Sequence, residues 1–196
     1  MITNQIKELD IPKFFVLLLF CGKLSRIHLA CRSCPVLIYT IGHSDHTIPA
    51  FVELLRKFDI ALLVDVRSQP YSRWTPQFNR EDLAHDLQAA GIAYRSMGDS
   101  LGGRPTDPTL YDPGEERPDY ERMAQTETYQ RGIAQLLDLA REQPVVVMCS
   151  EGDYHHCHRH KLITQTLLER GVDVQHIQPD GTTVAGEIIP QQLSLF

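Results

Sequence analysis

Runs of consecutive apolar residues and stretches of helical spacing alternate from residue 36 to residue 177. Continuous runs at 36–41, 60–66 and 145–148, a weaker one at 92–97 and a last one at 172–177 have the length and branched-residue content of buried strands. Between them apolar residues recur every three to four positions over 47–58, 80–90, 122–141 and 158–170, which predicts four helices. Thr47 stands where an N-cap belongs, with Pro49 in the first turn, and Gly91 and Gly171 stand just past the ends of the second and fourth helices. Strands and helices joined this closely make parallel pairs through right-handed crossovers. The expected fold is therefore α/β: a single domain over 36–181 with a mostly parallel sheet of about five strands flanked by helices.

The two flanks break this pattern. Residues 1–35 hold an apolar run at 14–21 that is too short to span a membrane and is followed at once by Lys23, Arg26 and Arg32. They read as an appended or mis-started extension, with no membrane association, and Cys31 and Cys34 lack the second close pair of a zinc site. Residues 182–196 read as a tail. A chain of 196 residues suits one domain with a substantial core, and a formal charge of −6 argues against coating nucleic acid by bulk attraction. Five unevenly spaced cysteines do not form a secreted disulfide framework, so reduced thiols in a cytoplasmic protein are expected.

The chemistry-bearing residues fall just past the strands. In a parallel sheet these segments converge on one edge even when they are distant in sequence. The rule brings together His43 and Ser44, Asp65 and Arg67, Gly103 and Arg104, and Cys149 with Glu151. Asp65 interrupts an apolar strand, so its carboxylate must be paired or used, and Arg67 is the obvious partner. Glu151 and Asp65 are candidates to divide acid and base roles, and Cys149, at a strand end near arginines, is a candidate nucleophile. Cys157, His158 and Arg159 open a helix, where free N–H groups and a guanidinium would grip an anion. The histidines at 155, 156, 158 and 160 match no standard zinc spacing; no metal or other cofactor is required, and zinc stays a minor alternative. Arg67 to Arg80 contains three arginines, Tyr71, Trp74 and Phe78 and no acidic residue, so Trp74 could stack on bases while Arg73 meets phosphate. Residues 105–120, rich in Pro, Asp and Glu, look like an exposed loop or lid.

The motifs Tyr39-Thr-Ile-Gly-His-Ser44, Val64-Asp-Val-Arg67, Leu101-Gly-Gly-Arg104 and Cys149-x-Glu151 with Cys157-His-Arg159 resemble those of the bacterial domain-of-unknown-function family numbered 488, over about residues 36–181. That resemblance implies an α/β site and supplies no reaction. A looser similarity, in Leu63 to Arg67 and Val145 to Cys149, is to rhodanese-like sulfurtransferases and phosphatases. The arginine of their compact anion loop would fall here on His155, which weakens that reading. Gln192-Leu193-Ser194-Leu195-Phe196 resembles the peptide by which bacterial polymerases and repair proteins dock on the sliding clamp, with Leu195 and Phe196 filling an apolar pocket and Gln192 as polar anchor. A clamp partner implies DNA or a nucleotide as substrate. The leading expectation is an enzyme acting on nucleic acid or a nucleotide, by hydrolysis or transfer at a phosphoester or glycosidic bond. The alternatives are a non-catalytic DNA-associated adaptor and a thiol or sulfur transferase using Cys149.

Overall fold

The computed structural model describes residues 36–190. Within them, six strands form one sheet: β1 (Leu37–Gly42), β2 (Leu62–Asp65), β3 (Ala93–Ser96), β4 (Val145–Cys149), β5 (Asp173–Ile177) and β6 (Thr183–Ala185), in the order β3-β2-β4-β1-β5-β6. The first five run parallel, as the alternation predicts, and β6 pairs antiparallel with β5. This sixth strand lies at the start of the stretch expected to be a tail. All three of its residues are exposed, so no buried face marks it in the sequence.

The helices are α1 (Ile48–Lys57), α2 (Arg80–Ala89), α3 (Gly98–Leu101), α4 (Tyr120–Ala124), α5 (Glu127–Glu142) and α6 (Gln165–Glu169). Because β4 is buried on both faces, its side chains feed two cores. Val146 and Met148 pack with Phe51 and Leu55 of α1 and with Leu83 and Leu87 of α2. Val145, Val147 and Cys149 point the other way, into the core that holds Ile133 and Leu136 of α5. Cys149 thus shares a face with its period-two neighbours and comes out at the end of the central strand.

Two helices differ from the expected lengths. The one expected over 122–141 is interrupted at Thr126, whose hydroxyl accepts from the N–H of Tyr129 at 3.3 Å and donates to the carbonyl of Met123 at 2.9 Å. A residue that bonds its own backbone in this way starts a new helix. The helix expected from 158 begins with a wide π-helical stretch, Arg159–Thr164, before α6. Thr164 Oγ1 donates to the Arg159 carbonyl at 2.7 Å and Gln165 Nε2 to the His160 carbonyl at 3.1 Å, so side chains help satisfy the turn. Among the described residues, no helix is long and apolar enough to cross a membrane. The clamp-like peptide at 192–196 and the cysteines at 31 and 34 lie outside the described residues.

Candidate active site

Register decides which loops meet. Gly42 pairs with Cys149, Asp65 with both Met148 and Ser96, so the segments leaving β1 to β4 emerge on one edge. The β1 and β4 exits are then stitched together: His43 N donates to the Cys149 carbonyl at 2.9 Å and Ser44 N to that of Ser150 at 3.0 Å. Ser44 takes a φ of 46°, which turns the loop back toward β4. Gly42 is needed because the next layer sits against its backbone; an added Cβ would lie 1.8 Å from the Glu151 carbonyl oxygen and 2.7 Å from Arg159 Nη1.

Asp65, fully buried, anchors one constellation. Its two oxygens receive Arg67 Nε at 2.9 Å, Arg67 Nη2 at 2.7 Å, the Arg67 backbone N–H at 3.0 Å and Tyr94 Oη at 2.8 Å. Arg67 also donates to the Phe78 carbonyl at 2.8 Å and to His43 Nε2 at 3.2 Å. A guanidinium cannot accept, so His43 Nε2 must be the lone-pair nitrogen and Nδ1, 2.9 Å from the Ser44 carbonyl, carries the proton. Burial lowers the His43 pKa to about 4, with the Arg67 charge adding to the fall against the Ser44 bond, and the imidazole is neutral at physiological pH. Burial, then the Asp65 charge and hydrogen bond, hold the Tyr94 phenol well up. Of the five guanidinium protons of Arg67, one on Nη1 has no partner among the described residues, on a side chain that lines the neighbouring cleft.

Cys149 centres a second constellation. Its sulfur lies 3.0 Å from Glu151 Oε2 and 3.6 Å from His158 Nδ1, and the Cys157 sulfur is 3.7 Å from the same nitrogen. His158 Nε2 faces the Val66 carbonyl at 3.2 Å, so it bears a proton and leaves Nδ1 to deal with the two sulfurs. A sulfur and a carboxylate oxygen 3.0 Å apart need a proton between them, and Cys149 and Glu151 therefore share one. The hydrogen bond from Cys157 draws the Cys149 thiol well below its ordinary range against the effect of burial, with His158 and Glu151 reinforcing the fall. Cys157 keeps its proton, held up by that same contact and by burial. Burial opposes charge on His158, yet the bond to Cys149 and its charge shift the imidazole upward overall.

Beneath both sulfurs lies Arg159, fully buried in the π-helical turn. One of its nitrogens, Nη2, donates to the Gly152 carbonyl at 2.8 Å, whereas Nε and Nη1 have no partner among the described residues. Nη1 sits against Gly42, whose register partner is Cys149. Burial pulls the Arg159 pKa down, and the charge on the Cys149–Glu151 pair and on Asp153 opposes that fall.

A cleft of about 310 Å³ opens over this second constellation, with Cys149, Glu151 and His158 facing Arg67, Arg104 and Arg117 in its wall. Ser68 Oγ accepts from Arg104 N at 3.0 Å, and Gly103 is so close to His158 that a Cβ would lie 2.6 Å from the ring. Of the residues singled out in the sequence, Cys149, Glu151, His158, Arg67, Gly103 and Arg104 meet at the cleft. Asp65 and His43 stand behind Arg67, Ser44 spans the β1 and β4 loops, and Cys157 and Arg159 lie beneath. Arg73 and Trp74 are outside it: Trp74 is 80 % exposed, with the Arg73 guanidinium 4.8 Å from its ring centre.

The histidine cluster divides, with His158 at the cleft and His155 and His160 gathered around Tyr154. His155 and His156 pair with Asp153 at 2.9 Å each, while His160 faces His176, whose other nitrogen meets Thr40 Oγ1 at 2.6 Å. Among the described residues, the donor set able to hold a soft divalent ion such as zinc is instead Cys149, Cys157 and His158, all within 4.8 Å of one another, with Glu151 adjoining. Arg117 and Tyr120 of the cleft were not singled out from the sequence. Their signal was an arginine-proline pair in the acidic 105–120 stretch, where Pro118 forms a bridge with Tyr111 that pins the loop.

No curated protein and no solved structure matches the chain. Residues 47–165 match the family model described as "Domain of unknown function DUF488", and with more than half of its length inside that match the chain belongs to this family.

Proposed function

We propose that this protein is a cysteine-dependent enzyme that transfers or hydrolyses a group on an anionic, phosphate-bearing substrate, a nucleotide or nucleic acid. One observation carries the reading: the Cys149 sulfur borders the cleft within reach of both a carboxylate, at 3.0 Å, and an imidazole nitrogen, at 3.6 Å, whose tautomer is fixed from behind. Glu151 accepts the thiol proton, the thiolate attacks the electrophilic centre, and Glu151 gives that proton to the leaving group; water or an acceptor hydroxyl then displaces the group from Cys149, its proton passing to His158 Nδ1. Arg67, with its one free N–H, and Arg104 and Arg117 hold the anion. Asp65, with all its interactions directed at Arg67 and Tyr94, acts as the post that fixes Arg67 and, through it, His43.

The nucleic-acid part of the reading is supported by the loop that runs from the cleft at Ser68 and Gln69 to Tyr71, Arg73 and Trp74. An exposed tryptophan with an arginine against its face offers a base a stacking surface and its phosphate a cation. The sequence of residues 192–196 supports recruitment by the sliding clamp. The test incubates the wild-type chain with nucleotides and short single-stranded DNA and follows products by mass spectrometry. Cys149→Ser is expected to abolish turnover and Glu151→Gln to slow it by about 10²–10⁴-fold, the usual range for a proton-transfer group. Full turnover by the serine variant would overturn the thiol mechanism, and loss of the last five residues without loss of clamp binding would remove the recruitment.

A further inference from the structure

Cys157 has no part in the chemistry just described. It is 1 % exposed, does not line the cleft, and could be taken for packing. Its surroundings are not those of a packing residue. Its sulfur lies within 4.8 Å of the Cys149 sulfur and shares with it a single imidazole nitrogen, at 3.7 and 3.6 Å. The Arg159 backbone N–H points at it from 3.5 Å. Two thiols thus flank one base, one bordering the cleft and the other directly behind.

We infer that Cys157 is a resolving thiol that closes a reversible disulfide with Cys149 when a low-molecular-weight disulfide enters the cleft, switching the site off and shielding its nucleophile. The inference rests on the reading of Cys149 as the reactive thiolate. The atoms balance in two exchanges. Cys149 thiolate attacks one sulfur of the incoming disulfide, forming a mixed disulfide and releasing one thiolate. His158 Nδ1 takes the Cys157 proton, the Cys157 sulfur attacks the Cys149 sulfur, and the second small thiol departs with that proton. The small disulfide is reduced to two thiols and the protein pair is oxidised; a dithiol reductant reverses both steps. Closing an S–S bond of about 2.05 Å requires the sulfurs to approach by side-chain rotation.

Local donors make the bond labile. The Arg159 backbone N–H lies 3.5 Å from the Cys157 sulfur and His158 Nδ1 lies 3.6 Å from that of Cys149. Hydrogen-bond donors of this kind stabilise a thiolate more than a disulfide sulfur, which is the weaker acceptor. A disulfide whose reduced form is favoured in this way is readily reduced, which suits a switch and not a structural staple.

The test treats the full chain with glutathione disulfide, then maps its peptides without reduction and measures iodoacetamide labelling. The expected wild-type product is a Cys149–Cys157 cross-link with no glutathione retained on either residue, labelling of both thiols lost, and labelling restored by dithiothreitol. Cys157→Ser and Cys157→Ala are expected to retain glutathione on Cys149, and either one that keeps the wild-type circular dichroism serves. Glutathione retained on wild-type Cys149 as fully as on these variants would overturn the resolving role while leaving the reactive thiolate intact. Absence of any reaction at Cys149, in wild type and variants alike, would overturn the thiolate reading itself and the switch with it. The wild-type map decides between these results without any variant having to fold.

Discussion

Two polar constellations share the sheet edge and are built on opposite terms. Around Asp65 almost everything is satisfied: the carboxylate receives four hydrogen bonds, Arg67 keeps one free proton, and His43 is fixed as a neutral acceptor. Around Cys149 little is. A thiol and a carboxylate share a proton, two sulfurs share one imidazole nitrogen, and a buried arginine has two nitrogens without partners among the described residues. A closed network gives rigidity, whereas an open one in a cleft keeps protons and charge available for a substrate. The carboxylate that stands out most in the sequence lies in the closed network, and the cleft opens over the other one.

Mutation can break this contrast. The largest expected effect is on the open side: Cys149→Ser should reduce turnover by more than about 10³-fold while leaving the thermal midpoint near that of wild type. On the closed side the loss should be one of stability. Asp65→Asn removes the charge that compensates buried Arg67 and should destabilise the fold by about 3–5 kcal/mol in urea titration, the range for breaking a buried pair from one side. If Asp65→Asn instead left stability unchanged and abolished activity, the two roles would be interchanged. Gly42→Ala tests the junction of the two networks. Its Cβ would collide with the Glu151 carbonyl, and a loss of about 1–3 kcal/mol is expected from the forced shift of that loop.

A smaller effect sharpens the comparison through pH. His43 and His176 are buried with pKa values of about 4 and about 3, against about 6.5 in an unfolded chain. The unfolded state therefore binds more protons between those values, so the stability these residues contribute is complete above pH 6.5 and is lost as pH falls through 6.5 toward 4. Urea midpoints measured from pH 7 to pH 4.5 should decline, with net proton uptake on unfolding; a flat profile would mean that neither imidazole is held neutral. Trp74→Ala, at the exposed end of the loop, should shift stability by less than about 0.5 kcal/mol and weaken binding of single-stranded DNA by about 1–3 kcal/mol for each stacked base lost.

What the sequence reveals about this edge follows from periodicity. β1, β2 and β4 are legible as continuous apolar runs, and the parallel rule then brings their exits together before any distance is known. The Asp65–Arg67 pair is legible because a carboxylate in an apolar strand needs a partner, and Arg67 is the cation nearest to it in sequence. The partnership of Cys149 with His158 is not, because it depends on how the intervening loop folds back, with its 3₁₀ turn at Tyr154–His156. Nor is the burial of Arg159, which reads as an exposed anion grip until the wide helical turn carries it under the sheet edge. β6 escapes because an exposed edge strand leaves no alternation to read.

The position of β4 also has a consequence for how the chain assembles. Of the described strands it is the fourth to be synthesised, yet it lies between β1 and β2 and pairs with both. Before residue 149 has left the ribosome, the first two strands have no common neighbour and the sheet's centre is missing. Such long-range pairing slows folding, and early hairpin-like shortcuts are not available to a parallel order. The strand that completes the sheet is the one that ends in Cys149, so a nascent chain can form the cleft only at the moment it gains its architecture.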